Sequence, residues 1–502
     1  MPRPPQGIRV APTQTMKYSW LAFLGKRFVA LAFNLAIGCL CAFQLQAEPV
    51  RSFRAGAAAS NITPWLGLSI NGGMQDIIAG QIHDELHARC LVLEDGQTRL
   101  ALAVVDSCMV PREIHAAAKR LIHEQTGIPA EHMLISATHT HSAPAATPVF
   151  QSDPDKDYQQ FLVQRIADGV RRAVNNLAPA RIGWGVGRVP EQVFNRRWKM
   201  KPGTVMADPF GGTNDQVKMN PGVGNPALLE PAGPTDADVS VVSVQSLEGR
   251  PMALLANYSL HYCGGVGPGH ISADYFGQFA DRIQQLLGAD RQDPPFVGIM
   301  SNGTSGNINN INFHGGQPRQ PPYGQMRLVA GAVAEEVLRV CQKIEHHNWV
   351  PLAAQQEEIQ LGVRLPSPAE VERARQIMAQ AKGSVMQTLP EIYARETVLL
   401  SRYPAQVPVI LQAFRLGHLA ITAIPAEVFV EIGLELKEKS PFKPTFTISL
   451  ANGYNGYLPT VEHHQLGGYE TWRARSSYLE VEAAPKITGA LLALLRRLNE
   501  SP

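Results

Sequence analysis

The 502-residue chain lacks any strong excess of one charge: 45 Lys and Arg against 43 Asp and Glu leave a net charge of +2, and charged residues make up only 18%. Nucleic-acid binding needs a basic face that neutralises several phosphates, so that class of partner is excluded. Cysteine is scarce too, at 6 in the whole chain. Cys39 and Cys41 fall in an apolar N-terminal run, and Cys90, Cys108, Cys263 and Cys341 are scattered without the paired spacing of a metal knuckle. So few thiols cannot build a disulfide scaffold; one or two bridges, or buried free thiols, are the alternatives. No internal repeat is found. Beyond the N-terminal run no stretch has the uninterrupted apolar length of a membrane span.

What is present is a hydrophobic share of 45%, which argues against disorder, together with 43 Gly and 38 Pro, which imply many turns and long ordered loops. The N-terminus reads as an export signal. Lys17, Lys26 and Arg27 precede "FVALAFNLAIGCLCAF", and "LQA" ends at Ala47 with the small residue favoured before a cut, so residues 1–47 are expected to be removed and 48–502 to form the mature chain. A start at Met16, an uncleaved anchor, or a lipid on Cys39 are the competing readings of the same segment.

"CLVLEDGQTRLALAVVD" suggests a hairpin of half-buried strands turning at Asp95-Gly96. "REIHAAAKRLIHEQTG" and "YQQFLVQRIADGVRRAVNNL" carry apolar residues at helical spacing, and the first ends on a glycine suited to a C-cap. Strands and helices continue through "PMALLANYSLHYC", "YFGQFADRIQQLLG", "PFVGIMSNG" and "MRLVAGAVAEEVLRVCQKI". That order predicts an α/β fold with layered mixed sheets and helices in a single large domain. From Trp198 to about Asp236 the chain shows little periodicity and reads as a long loop; "SPAEVERARQIMAQAK" reads as a surface helical insertion before the strands of "PVILQAFRLGHLAITAIP".

Polar groups gather where apolar runs end. "MLISATHTHSAP" closes with His139 and His141 one residue apart, and strand alternation would aim both imidazoles the same way. "LLANYSLHYCGG" brings His261 before a glycine turn, "HLAITAIPAEVF" brings Glu427 past a proline, and "NGYNGYLP" holds Tyr454 and Tyr457. Each has a plain structural reading: a hydrogen-bonded histidine, a glutamate favoured by a helix dipole, a tyrosine packed under a loop. Together they offer two or three imidazoles and a carboxylate, the donor set of a catalytic zinc with one position open.

"ISATHTHSAP", "NYSLHYCGG", "ISADYFG", "PAEVF" and "NGYNGYLPTVEHHQLGGYE" resemble, in order and rough spacing, motifs of the neutral/alkaline non-lysosomal ceramidases, secreted zinc amidases that cleave the N-acyl bond of ceramide. The likeness runs from about Ala55 to Ala484. It implies an exported hydrolase with one Zn2+ held by His139, His261, Glu427 and Tyr457, acting on a small-molecule or lipid amide by zinc-activated water, with peripheral membrane contact as a further expectation. It also implies that His141 contacts substrate or supports the shell, that Arg196 of "FNRRW" lies near the substrate, and that Tyr469 of "GGYE" is a further active-site tyrosine. The likeness departs at the family's Gly-Asp-x-Ser-Pro-Asn motif, where this chain has "NGTSGNINNINF". Setting Gly306 on the motif glycine puts Asn307 at the aspartate and Asn309 at the serine, which makes Asn309 the expected site residue and Ser305 a nearby candidate. The chain is also expected to lack the family's C-terminal β domain. A zinc hydrolase for another amide or ester, and a binding protein that kept the metal but lost turnover, are the rival readings.

Other histidines are weaker candidates. "HDELH" at 83–87 has its glutamate at the wrong position for a zincin and approaches a strand, although His83 could border the site; "EHH" at 345–347 and His463-His464 read as solvated surface groups.

Overall fold

The computed structural model describes residues 52–205 and 207–500; the export signal expected over residues 1–47 lies outside them. Eight strands make the larger sheet: β1 (Arg54–Asn61), β2 (His87–Glu94), β3 (Arg99–Val105), β4 (Met133–Ala137), β5 (Ala178–Arg188), β6 (Asp238–Ser246), β7 (Pro251–Tyr258) and β8 (Val297–Asn302). Their spatial order is β8-β7-β6-β5-β1-β2-β3-β4. Interior pairings are antiparallel, and each outermost strand joins by a parallel pairing. A smaller sheet follows in the order β9 (Leu352–Gly362), β10 (Gln406–Leu416), β11 (Leu419–Ala423), β12 (Thr445–Ile448), the last pair parallel.

The two sheets pack against each other. Leu91 and Leu93 of β2 share one core with Phe414, Leu416, Ile421 and Phe446 of the smaller sheet. The intervening Cys90 and Val92 share another with Ile114, Ala118 and Ile122 of α1 (Arg112–Thr126) and Leu162 and Ile166 of α2 (Lys156–Asn175). Period-two alternation therefore sends β2 side chains to two different cores. This corrects the expectation of half-buried strands: with helices on one face and a second sheet on the other, β2 and β3 are buried on both. Helices α3 (Asp274–Leu286) and α4 (Gly324–Cys341) cover β6 to β8 through Phe279, Ile283, Val329 and Val333. Beyond α5 (Pro368–Gln380), which packs on α6 (Leu389–Leu400) with its buried Tyr393 and Leu400, and the short α7 (Val430–Lys439), α8 (Ala483–Glu500) seals the outer face of the smaller sheet against Val409, Leu411 and Ala420. The predicted layered α/β architecture is the one observed, and the hairpin turns at Asp95-Gly96, with Glu94 opposite Arg99.

Two further expectations are corrected. The stretch from Trp198 to Asp236 contains a small three-stranded sheet, Arg197–Met200 between Val217–Met219 and Leu228–Pro231, anchored by Trp198 and Phe313; strands this short leave no readable period. His463 is buried, not solvated, because Arg197 and Glu431 both reach its ring. The four cysteines outside the N-terminal run are free thiols.

The layering matters because strand ends converge. The chain leaves β4 toward His139, β7 toward His261, β11 toward Glu427 and β12 toward Tyr454 and Tyr457. C-terminal strand ends, where backbone pairing stops, are where α/β folds can present side chains together.

Candidate metal centre

Strand β4 stops at Ala137, and His139 adopts φ 74°, a left-handed conformation that a non-glycine residue holds only when its surroundings fix it. Two contacts do so: its backbone N–H donates to the Ser107 carbonyl at 2.8 Å, and Nδ1 meets the Cys108 carbonyl at 2.7 Å. Strand alternation is thus not what aims the two histidines. The bend does, bringing His141 Nε2 to 3.2 Å from His139 Nε2 with the rings perpendicular at 89°. Gly72 packs on the His141 ring, where a Cβ would lie 2.5 Å from Cγ, and Tyr262 stacks on that ring at 3.8 Å between centroids.

His261 is held by its Nδ1, 3.0 Å from the Ser305 carbonyl, so that its Nε2 lies 3.0 Å from His139 Nε2. Glu427 comes from a two-residue strand, Glu427–Val428, paired in parallel with Tyr457–Leu458. Its Oε1 accepts from the Tyr454 hydroxyl at 3.0 Å, while Oε2 makes no hydrogen bond and sits 3.1 Å from His139 Nε2 and 3.9 Å from His261 Nε2. All three residues are buried, and their donor atoms lie within 4.8 Å of one another.

This donor set fits a divalent cation. Nδ1–H groups spent on backbone carbonyls leave both Nε2 lone pairs pointing inward, and two lone pairs beside a carboxylate oxygen repel unless something positive lies between them. Two imidazoles and a carboxylate, with Nδ1 anchored by carbonyls, match zinc's preferences. Where only protons are available, burial disfavours charge on His139, but Glu427 and neighbouring Cys108 outweigh it and raise its pKa to about 10. Burial, reinforced by the positive charges of His139 and Arg196, holds His141 and His261 well below the usual histidine range.

The remaining expected residues divide. Tyr457 and Tyr469 line the same small pocket as His139, His141 and Glu427. Arg196 donates through Nη2 to the Tyr457 hydroxyl at 3.1 Å and to the Gly306 carbonyl at 2.8 Å, and through Nε to Glu470 at 3.0 Å. It therefore reaches the pocket by way of Tyr457. Arg197 takes the other Glu470 oxygen at 2.5 Å, which separates the roles of the two adjacent arginines. Asn309 is placed elsewhere: its Nδ2 donates to Asn220 Oδ1 at 2.7 Å, its Oδ1 accepts from the Ile311 N–H at 3.0 Å, and no hydrogen bond joins it to the histidines. Ser305 Oγ donates to Asn302 at 2.7 Å, and it is the Ser305 carbonyl that touches His261. His83 pairs with Asp84 and stacks on Tyr323, outside the donor set.

Sequence reasoning missed Glu470, Cys108 and the role of Tyr454. Glu470 lies inside the quoted "GGYE" and is fully buried between two arginines; burial opposes its charge, but Arg197 and Arg196 prevail and lower its pKa. The signal for it was the doubled arginine of "FNRRW", which needs a buried carboxylate partner. Tyr454 stood in the quoted "NGYNGY", and only the pairing of Glu427 with Tyr457 shows which hydroxyl reaches the carboxylate. The pocket at the centre is small, about 20 Å³, room for one water or ion but not an acyl chain.

Residues 53–317 match the family model described as neutral/alkaline non-lysosomal ceramidase, N-terminal. A neutral ceramidase of Pseudomonas aeruginosa is 22% identical over 482 residues, an alignment spanning 83% of this chain and 68% of that protein. Neutral ceramidase A of Dictyostelium discoideum is 22% identical over 296 residues, 55% of this chain and 39% of its own length. The crystal structure of the Pseudomonas aeruginosa neutral ceramidase superposes with a TM-score of 0.67 at 18% identity, covering 90% of this chain and 75% of that one, and a ceramidase complexed with C2 gives 0.66 at 17%. With more than half its length matched and the architecture shared, the chain belongs to the neutral/alkaline non-lysosomal ceramidase family.

Proposed function

We propose that the chain is an exported zinc-dependent amidase that cleaves the N-acyl bond of ceramide or a related N-acyl lipid. The observation that carries this reading is the convergence of His139 Nε2, His261 Nε2 and the unbonded Glu427 Oε2, each from a different strand end, within 4.8 Å. These three would hold the metal, with the Tyr457 hydroxyl as fourth ligand, its oxygen steadied by the Arg196 donor. Zinc at such a site supplies Lewis acidity toward a carbonyl and lowers the pKa of a nearby water to about 7.

The protein's own groups cover the other needs of amide hydrolysis. His141 is kept neutral by burial, so its Nε2 can take a proton from the attacking water and return it to the departing amine. Tyr469 is a buried hydroxyl whose pKa burial and the Glu427 charge raise, so it stays protonated and can donate to the developing oxyanion. Tyr454 fixes the Glu427 carboxylate so that Oε2, not Oε1, turns to the histidines. The family's activity and the names of the relatives support ceramide as the acyl donor. Export rests on the N-terminal sequence alone, and peripheral contact with a lipid surface follows from the nature of the substrate.

The test is hydrolysis of a panel of N-acyl lipids and simple acyl amides by the purified chain, with and without chelator, alongside His261→Ala. Release of fatty acid from ceramide that stops with chelator and with the variant is the expected result. Metal-dependent cleavage of the simple amides alone would keep the chemistry and change the substrate.

A further inference from the structure

A cavity of about 490 Å³ that the chemistry above leaves unused lies along one face of α1. Helical spacing puts Arg112, His115, Lys119 and His123 on that face at intervals of three and four, with Arg120 beside Lys119, where an amphipathic helix would ordinarily present either its apolar stripe or a solvated surface. Here it does neither. Lys119 is only 7% exposed and His115 only 1%. Among the described residues Lys119 has no hydrogen-bond or ion-pair partner and lines the cavity, while both ring nitrogens of His115 are buried without a well-formed hydrogen bond. A lysine this little exposed is ordinarily paired.

The balance of charge around the cavity is positive. Arg112 is matched by Glu358 at 2.5 Å, and Glu131 is the one carboxylate on the wall. Arg120 has no acidic partner among the described residues. Burial lowers the Lys119 pKa to about 7, partly opposed by Glu131, so an anion arriving beside Nζ would restore its charge and gain a charge-assisted hydrogen bond. Lysine is a point-charge donor well suited to phosphate oxygens, and the volume exceeds that of one small ion, leaving room for the organic part of a modest ligand.

We propose that this cavity is a binding site for a small phosphate-class oxyanion, free or as the phosphomonoester of a small metabolite, held by Lys119 and Arg120. The site is separate from the metal centre and does not depend on amide hydrolysis. Its wall nevertheless includes Asn452, two residues before Tyr454, whose hydroxyl fixes Glu427.

Isothermal titration of inorganic phosphate and, separately, of glycerol phosphate into the purified full chain, at constant ionic strength set with chloride, tests this directly. One saturable site is expected, weakened at least about tenfold by Lys119→Met and by a smaller factor by Arg120→Gln, since a buried charged donor contributes more than an exposed one. Tighter binding of glycerol phosphate than of phosphate would identify the organic ester as the ligand class, and the reverse would identify the free ion. Absence of binding, or undiminished binding by Lys119→Met, would overturn the proposal. Should Lys119→Met not fold, the exposed Arg120→Gln decides, with undiminished affinity counting against the site.

Discussion

At the scale of single residues, the centre depends on which atom of each side chain is already committed. His139 and His261 have their Nδ1 atoms on the carbonyls of Cys108 and Ser305, so truncating either ring removes one inward Nε2 from the donor set. His139→Ala or His261→Ala is expected to lower zinc affinity by at least about a hundredfold, read by competition with a chromophoric chelator. Glu470 is a different kind of residue: it neutralises Arg196 and Arg197 in a buried triad. Glu470→Gln should cost on the order of 3–5 kcal/mol of unfolding free energy, because two buried guanidinium groups would lose their counter-charge; a loss under about 1 kcal/mol by urea denaturation would contradict that. His115 adds a pH signature. Burial, with help from Lys119, lowers its folded pKa to about 3 from the ordinary 6.5. Between those limits the unfolded chain binds a proton that the folded one refuses, so stability falls as pH drops from about 6.5 toward 3, and His115→Leu should flatten that slope. That His139, His141, His261, Glu427, Tyr454 and Tyr457 lie where apolar runs end was legible in the sequence, because polar residues stood out there; the choice of Tyr457 over Tyr454 came from the family resemblance. The positive φ of His139 and the turning of Asn309 toward Asn220 were not legible, since both are settled by segments distant in sequence.

At the scale of elements, precision at the centre comes from backbone packing against backbone. Gly306 lies against the strand that carries Glu427: a Cβ there would meet the Glu427 carbonyl oxygen at 2.6 Å and Phe429 at 3.0 Å. Gly306→Ala should destabilise by about 1–3 kcal/mol and weaken metal binding together, as an overpacked contact displaces the carboxylate. Gly331, inside α4 with nothing within 4 Å of its would-be Cβ, is the contrast: Gly331→Ala should stabilise by about 0.5–1 kcal/mol without touching metal affinity. Thermal unfolding and metal titration on both variants separate the two effects. Helices were legible at this scale, with α1 ending at Gly127 in the left-handed conformation its glycine suggested and α5 opening on a Ser367/Glu370 capping box. The three short strands between Arg197 and Pro231 were not, because three or four residues carry no measurable period.

At the scale of the whole molecule, two stacked sheets with helices outside bring four strand ends to one point. The larger sheet supplies His139 and His261; the smaller supplies Glu427 and the tyrosines. The layered α/β class was readable from the order of elements, whereas the face-to-face stacking of the sheets was not, because burial of β2 on both faces erases the alternation that would have revealed it. A metal ion held by these residues would bridge segments from both sheets, so its removal should lower the unfolding temperature as well as activity, by mass action on the folded state. The most direct single measurement is metal content by elemental analysis of the chain purified without chelator, for wild type and for the His139→Ala, His261→Ala double variant in parallel. About one zinc per wild-type chain and almost none in the variant is the predicted result; a wild-type chain that is folded and metal-free, or a variant that retains its zinc, would contradict the assignment of this centre.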